Sequence, residues 1–451
     1  MKFKFLSQNL EQRRDLILRG NVVSTILMLS LPSLMMGLVQ SLIPVIDGLF
    51  LNNLVGTTAA SAVTYCTPVV NMTTALSQGL SVAGMAIIGQ SNGRGDFKES
   101  RNTTIQLIIF AFILGVVLAP LLVVVAFGLS GHVNQEIAHD VFVYISLNAL
   151  VIPFSFLEAI YNAIKNANGR PEDSFIRMII MLVLKIVFNT FFIYVLHWGL
   201  VGSVIASLVS NVLLTFWMFY ELFLKKNGDR LEMRGFHFNH RIIKKLLYIG
   251  FPSMLSSLML NFGFFLINNE VEKYGSIVLN GQGIANNITA VCFILPSSFA
   301  SAITTMVSMN VGAKQVKRAK YSCLIGCIVS AITAAALIAV VVPLSSYLTI
   351  LFTREAQVLE VANKALHIYT YSVIGFGVCM VEQGAFIGLG KTKITLVMSI
   401  LRIWLLRYIF ILATESYLSY YSVFWGNLFS NYMAALITTI LIFRVSWESD
   451  I

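Results

Sequence analysis

Charge is what this sequence has least of. Only 12% of its 451 residues are Asp, Glu, Lys or Arg, about half the share a soluble globular chain carries. By contrast 57% are hydrophobic, and apolar runs of about 20 residues or more recur from Val23 to Phe443, which leaves no room for a water-soluble domain of useful size. Cysteine is scarce too. Cys66, Cys292, Cys323, Cys327 and Cys379 are odd in number, scattered and confined to apolar segments, which excludes a disulfide framework. The chain has no H-E-x-x-H pair and no G-x-x-x-x-G-K-[ST] loop, and its six histidines are scattered. No enzyme, metal or cofactor is therefore expected. No repeated selectivity-filter stretch speaks for a channel. The net charge of +10 does not speak for nucleic acid either, because the basic residues are spread through short connections instead of lying on one face.

What is present is an all-α polytopic membrane pattern. Hydropathy, broken at Gly, Pro and charge clusters, predicts twelve spans near 24–52, 58–90, 101–127, 140–164, 174–196, 199–224, 244–269, 277–311, 320–346, 361–388, 394–413 and 419–443. All but six of the 31 basic residues fall in the N-terminal tail, every second connection and the C-terminal tail, so both ends are expected on the cytoplasmic side. The six are Lys185, Lys273, Arg354, Lys364, Arg402 and Arg407. The N-terminus is basic and amphipathic and lacks a cleavable signal's apolar core, so it is expected to stay on and lie at the cytoplasmic surface.

The two halves of the chain repeat. Leu31-Pro32-Ser33 recurs as Phe251-Pro252-Ser253, Gly56 as Gly275, Gly93 as Gly312, Gly169-Arg170 as Gly390-Lys391, and Leu208-Val209-Ser210-Asn211 as Leu428-Phe429-Ser430-Asn431. Five anchors near one offset predict two six-helix repeats related by a pseudo-twofold axis along the membrane normal, with a cavity between them. The division expected is a cytoplasmic N-terminal segment (1–23), an N-lobe (24–224), a cytoplasmic linker (225–243), a C-lobe (244–444) and a short tail (445–451).

Ionisable residues inside spans are costly and mark function by default. Asp47 stands three residues after Pro44, so the first span joins a carboxyl that can change charge to a point where the helix can bend. Asp47 is the candidate for coupling to an ion, and Pro44 the candidate hinge. Further in, an acid on the fourth span of each half and a base on the fifth predict a polar seam in each lobe. In the N-lobe it comprises Glu158, Lys185, Asn189 and Asn211, with Glu158 or Asp47 pairing with Lys185. In the C-lobe it comprises Glu382, Arg402, Arg407, Asn261 and Gln282, with Glu382 pairing with Arg402 or Arg407. Static pairs that only fix helix packing are the bland alternative. These cations also make anionic, zwitterionic or neutral ligands better candidates than purely cationic ones.

Several stretches resemble the multidrug and toxic compound extrusion (MATE) family. They are Pro32 with Val45-Ile46-Asp47-Gly48-Leu49-Phe50, Gly89-Gln90-Ser91-Asn92-Gly93-Arg94-Gly95-Asp96, Ala167-Asn168-Gly169-Arg170 and Gly199-Leu200-Val201-Gly202. In the second half they are Pro296, Asn310-Val311-Gly312-Ala313-Lys314-Gln315 and Gly388-Leu389-Gly390-Lys391-Thr392-Lys393. The resemblance covers nearly the whole chain. It implies an antiporter that exports amphipathic organic compounds against an inward flow of protons or sodium, with Asp47 as the family's helix-1 carboxylate. Two positions depart from the pattern: Lys185-Ile186-Val187-Phe188-Asn189 lacks the second acid of that pocket, and the seventh span offers Asn261, Asn268 and Asn269 before Glu270. A lipid-linked oligosaccharide flippase of the same superfamily is the alternative, favoured by Lys185, Arg402 and Arg407. The expected partners are a small-molecule substrate, H+ or Na+ and the lipid bilayer. A monomer in a bacterial inner membrane is the expected setting.

Overall fold

The computed structural model describes residues 10–55, 57–131, 133, 135–225, 230–232, 236–352 and 354–448, apart from some side chains inside the helices. Among the described residues regular structure is helical throughout, without a strand. The helices are α1 (Leu10–Arg19), α2 (Val22–Phe50), α3 (Thr57–Arg94), α4 (Phe97–Ser130), α5 (Gln135–Ala167), α6 (Pro171–Asn189), α7 (Gly199–Phe219), α8 (His240–Glu272), α9 (Ser276–Gly312), α10 (Val316–Ile350), α11 (Ala356–Tyr371), α12 (Val373–Gly388), α13 (Thr392–Ile400), α14 (Ile409–Leu418) and α15 (Tyr421–Arg444). Four stretches wind as π-helix: Leu51–Val55, Thr190–Val195, Tyr220–Leu224 and Leu401–Tyr408, the last joining α13 to α14. Eleven of the resulting segments are long and apolar enough to cross a bilayer, and twelve if α11 and α12 count as one span bent by 43°.

Local chemistry sets the helix ends. Asp96 caps α4 by accepting the Glu99 amide at 2.9 Å, and Pro171 opens α6 where a missing N–H costs nothing. Gly95, Gly169 and Gly390 close α3, α5 and α12 with φ of +78°, +71° and +81°, the left-handed turn that only glycine adopts without strain. The bend between α11 and α12 has no proline. There Ser372 Oγ donates back to Tyr369 O at 2.7 Å and accepts from Asn431 Nδ2 at 3.2 Å, so a side chain of α15 inserts where the helix ladder opens.

The chain divides into two compact units, and they do not follow the sequence halves throughout. The first gathers residues up to Asp15 with Met35–Met254; the second gathers Leu16–Leu34 with Leu255 onward. The switches fall after Leu34 and after Met254, two residues past Pro32 and Pro252 and 220 positions apart, the same offset that relates the repeats. In the first unit α5 is the central helix, flanked by α3, α4 and α7. A Cβ on Gly115 of α4 would lie 2.6 Å from Pro153 Cα of α5, so these helices meet backbone to backbone, as small residues allow in membranes. In the second unit α9 is central, against α10, α11 and α12. Ile17, Val22, Ile26 and Leu29 bury themselves there on Phe299, Ile303 and Met306.

Candidate functional site

α6 carries its polar residues at helical spacing. Lys185 lies fourteen residues after Pro171, about 21 Å along the axis, deep in a 25-residue span. Asn189 follows one turn later on the same face, so the two side chains can address one acceptor. That acceptor is Asp47 on α2. Lys185 Nζ lies 2.9 Å from Asp47 Oδ2, and Asn189 Nδ2 donates to Asp47 Oδ1 at 2.8 Å. Lys185 also donates to Ser207 Oγ of α7 at 2.5 Å, and Asn211, one turn on, donates to Ser207 O at 2.9 Å. The Lys185 side chain keeps 4% of its surface while Asp47 keeps 25%. The carboxylate is thus the accessible partner of a buried cation.

Of the two acids offered for Lys185, the structure selects Asp47. Glu158 is held elsewhere, by Arg177 Nη2 at 2.5 Å. Arg177 is completely buried, and the sequence reading missed it by counting it with the connection before the fifth span. The usable signal was the predicted span itself, 174–196, which already contains Arg177. The hinge proposed at Pro44 falls on a side chain outside the described residues.

A second polar layer lies at the end of the first unit where α1 docks. Arg13, 1% exposed, pairs with Glu172, and burial pushes its guanidinium below the ordinary value while Glu172 opposes the shift. Arg14 Nε donates to Asn92 O at 2.9 Å, and Asn92 Nδ2 donates to Asn168 Oδ1 at 2.8 Å. Two glycine-containing stretches singled out in the sequence, 89–96 and 167–170, therefore meet under α1. Lys165 bridges Asp173 and Glu221 at 2.8 and 2.7 Å.

The second unit corrects the expected seam. Glu382 pairs with neither arginine; its Oε1 accepts from Thr439 Oγ1 at 2.7 Å and its buried Oε2 has no hydrogen-bond partner. Arg402 Nη1 instead donates to Asn431 Oδ1 at 3.2 Å, and Arg407 lies against Phe264. Both arginines sit in the π-helical stretch, so extrapolating their direction from α-helical spacing gives the wrong face. Asn261 is exposed and bonds its own helix at Ser257 O, 2.9 Å. Gln282 is 2% exposed on α9.

Chemically, the Asp47 constellation can exchange charge. Both carboxylate oxygens face N–H donors, so the cation position beside Asp47 is already filled by an ammonium. Among the described residues no three His, Cys, Asp or Glu side chains converge as a metal cage would require. A proton on Asp47 would remove the charge that Lys185 is matched to.

Comparison with known proteins adds the relatives. A family model described as MatE matches residues 32–191 and 252–412, more than half of the chain, with the two matches starting 220 positions apart. The chain is 21% identical to "Probable multidrug resistance protein YoeA" of Bacillus subtilis (strain 168), over 83% of this chain and 82% of that one. It is 20% identical to "Multidrug export protein MepA" of Staphylococcus aureus (strain MRSA252), over 94% of each. In fold it is similar to an outward-facing multidrug resistance MATE family transporter of the MOP superfamily, with a TM-score of 0.89 at 24% identity, covering 95% of this chain and 96% of that one.

Proposed function

The chain belongs to the MatE family of multi-span membrane transporters, and from that membership we propose that it is a secondary antiporter that exports amphipathic organic compounds in exchange for protons. The observation that carries the coupling is the Asp47–Lys185 contact at 2.9 Å. An ion pair at this depth is favourable only while both partners are charged. When a proton reaches the accessible Asp47 oxygen, the carboxyl becomes neutral and the buried ammonium loses its counter-charge. The constellation of α2, α6 and α7 then favours a different arrangement, and release of the proton on the other side restores the first. If that second arrangement holds cargo less tightly, proton and cargo displace each other reciprocally. Sodium is the weaker coupling ion here, because Lys185 already occupies the place of the cation and Asn189 presents an N–H group to the carboxylate.

The bias of Lys and Arg towards alternate connections supports cytoplasmic termini. We further assign the protein to a bacterial inner membrane, acting as a monomer of two six-helix lobes. The test is transport by the full chain in liposomes, with pH and sodium gradients imposed separately and a fluorescent panel of amphipathic compounds as cargo. The expected result is uptake driven by the proton gradient alone and lost in Asp47→Asn. Undiminished proton-driven transport by that variant would overturn the coupling role.

A further inference from the structure

Arg402 and Arg407 are buried to 6% exposure each, and the coupling reaction uses neither. Both belong to the π-helical stretch Leu401–Tyr408. Five residues along an α-helix, two side chains stand about 140° apart; a π turn closes its hydrogen bond at the fifth residue and brings them onto one side. The winding thus leaves both side chains buried on the packed side of the stretch.

Their surroundings are neutral. The Arg402 guanidinium lies 5.2 Å from the Phe376 ring and donates to Asn431, and Arg407 lies 5.7 Å from the Phe264 ring. The Nε of each is buried without an acceptor. Among the described residues no carboxylate forms an ion pair with either. Glu382, the acid of the neighbouring span, is turned to Thr439. Two guanidinium forks without a counter-ion, each under an aromatic face, are suited to a planar oxyanion on an apolar body. Phe264 is 43% exposed, so the cover over Arg407 is the part a ligand reaches first.

We infer that the second unit binds the oxyanion of an amphipathic organic ligand, a carboxylate or a phosphate, between Arg402 and Arg407, with Phe264 and Phe376 against its apolar part. The inference deepens the export reading by giving the class of cargo, and rests on that reading only for the direction of movement. Binding is therefore measured without transport. Purified full-length protein in detergent is titrated with 6-carboxyfluorescein, farnesyl pyrophosphate and the cation ethidium. The first two distinguish a soluble organic anion from a lipid phosphate.

At least one anionic probe is expected to bind, and to weaken tenfold or more in Arg402→Gln and in Arg407→Gln, while ethidium binding stays within twofold. Equal affinity of both anionic probes in wild type and variants, or no binding of either to wild type, overturns the site. Should a glutamine variant fail to fold, Arg402→Lys and Arg407→Lys carry the test. They keep the charge and lose the fork, so at least threefold weakening is expected, and unchanged affinity sinks the inference. Arginine-dependent anion binding in a protein that does not transport leaves this site standing and removes the export reading alone.

Discussion

Lys185 Nζ and Asp47 Oδ2 are 2.9 Å apart although one side chain is nearly sealed and the other keeps a quarter of its surface. On the proposed proton-coupled reading, this asymmetry makes the carboxylate the partner that takes up a proton and the ammonium the one that registers the change. Asp47→Asn keeps the size but leaves the buried ammonium with only Ser207 and an amide, so it is expected to fold at a cost of about 3 kcal/mol. Lys185→Gln leaves a partly exposed carboxylate with Asn189, costing about 1–3 kcal/mol, less than the 3–5 of a fully buried broken pair. A double-mutant cycle read by thermal unfolding should return a coupling of about that size. Additive effects of the two substitutions would show that the contact carries no energy.

The Glu158–Arg177 pair should behave differently, because Arg177 is wholly buried and its Nε and Nη1 have no partners. Glu158→Gln leaves that guanidinium uncompensated and is expected to cost about 3 kcal/mol. Adding Arg177→Met should recover most of the loss. Thermal midpoints of wild type, single and double variants in one detergent check the order, and a double variant less stable than Glu158→Gln would contradict it.

Close packing of α9 on α12 makes Gly384 intolerant of a side chain. A Cβ there would stand 2.4 Å from Ala300 O, and Thr304 Oγ1 donates to Gly384 O at 2.9 Å across the same contact. Gly384→Ala should separate the helices and cost about 1–3 kcal/mol. Gly128→Ala, where nothing lies within 4 Å, serves as the control. Equal midpoints for the two variants would mean that the contact gives way freely.

Tyr274, in the connection after α8, supplies a pH dependence. Burial, and then its hydrogen bond to Glu415 Oε1 at 2.9 Å, push its phenol up to about 12. A folded-state value above the unfolded one means stability that is complete below about pH 10 and is lost as pH rises towards 12. Tyr274→Phe should therefore flatten the alkaline limb of a plot of thermal midpoint against pH. An unchanged limb would remove Tyr274 from the account.

Spans and repeats were legible in the sequence because apolar length and recurring Pro and Gly anchors survive without knowledge of packing. The candidate site was legible in part: Asp47 and Lys185 were both visible as charges within spans, but Glu158 competed for the same cation. What decided between the acids was the one-turn spacing of Lys185 and Asn189, which aims two donors at one carboxylate. Arg177 was counted with the preceding connection although the span predicted at 174–196 already contained it. The arginines of the second unit were seen, yet their direction was not, because a π-helical stretch leaves no signal in hydropathy. The bend at Ser372 escaped for a similar reason, since it depends on Asn431 reaching in from a distant helix.

The switches after Leu34 and Met254 bear on whether either half could stand alone. Each half contributes the opening portion of its first helix to the compact unit built chiefly by the other half. Expressed alone, residues 1–224 would lack the segment His240–Met254 whose Met254 backbone fills the notch at Gly79, and would carry Val22–Leu34 with nothing to cover it. A half-length chain divided in this way would be sound only as two copies trading these segments, so the covalent link between the halves turns what would be an exchange between chains into one within a single chain.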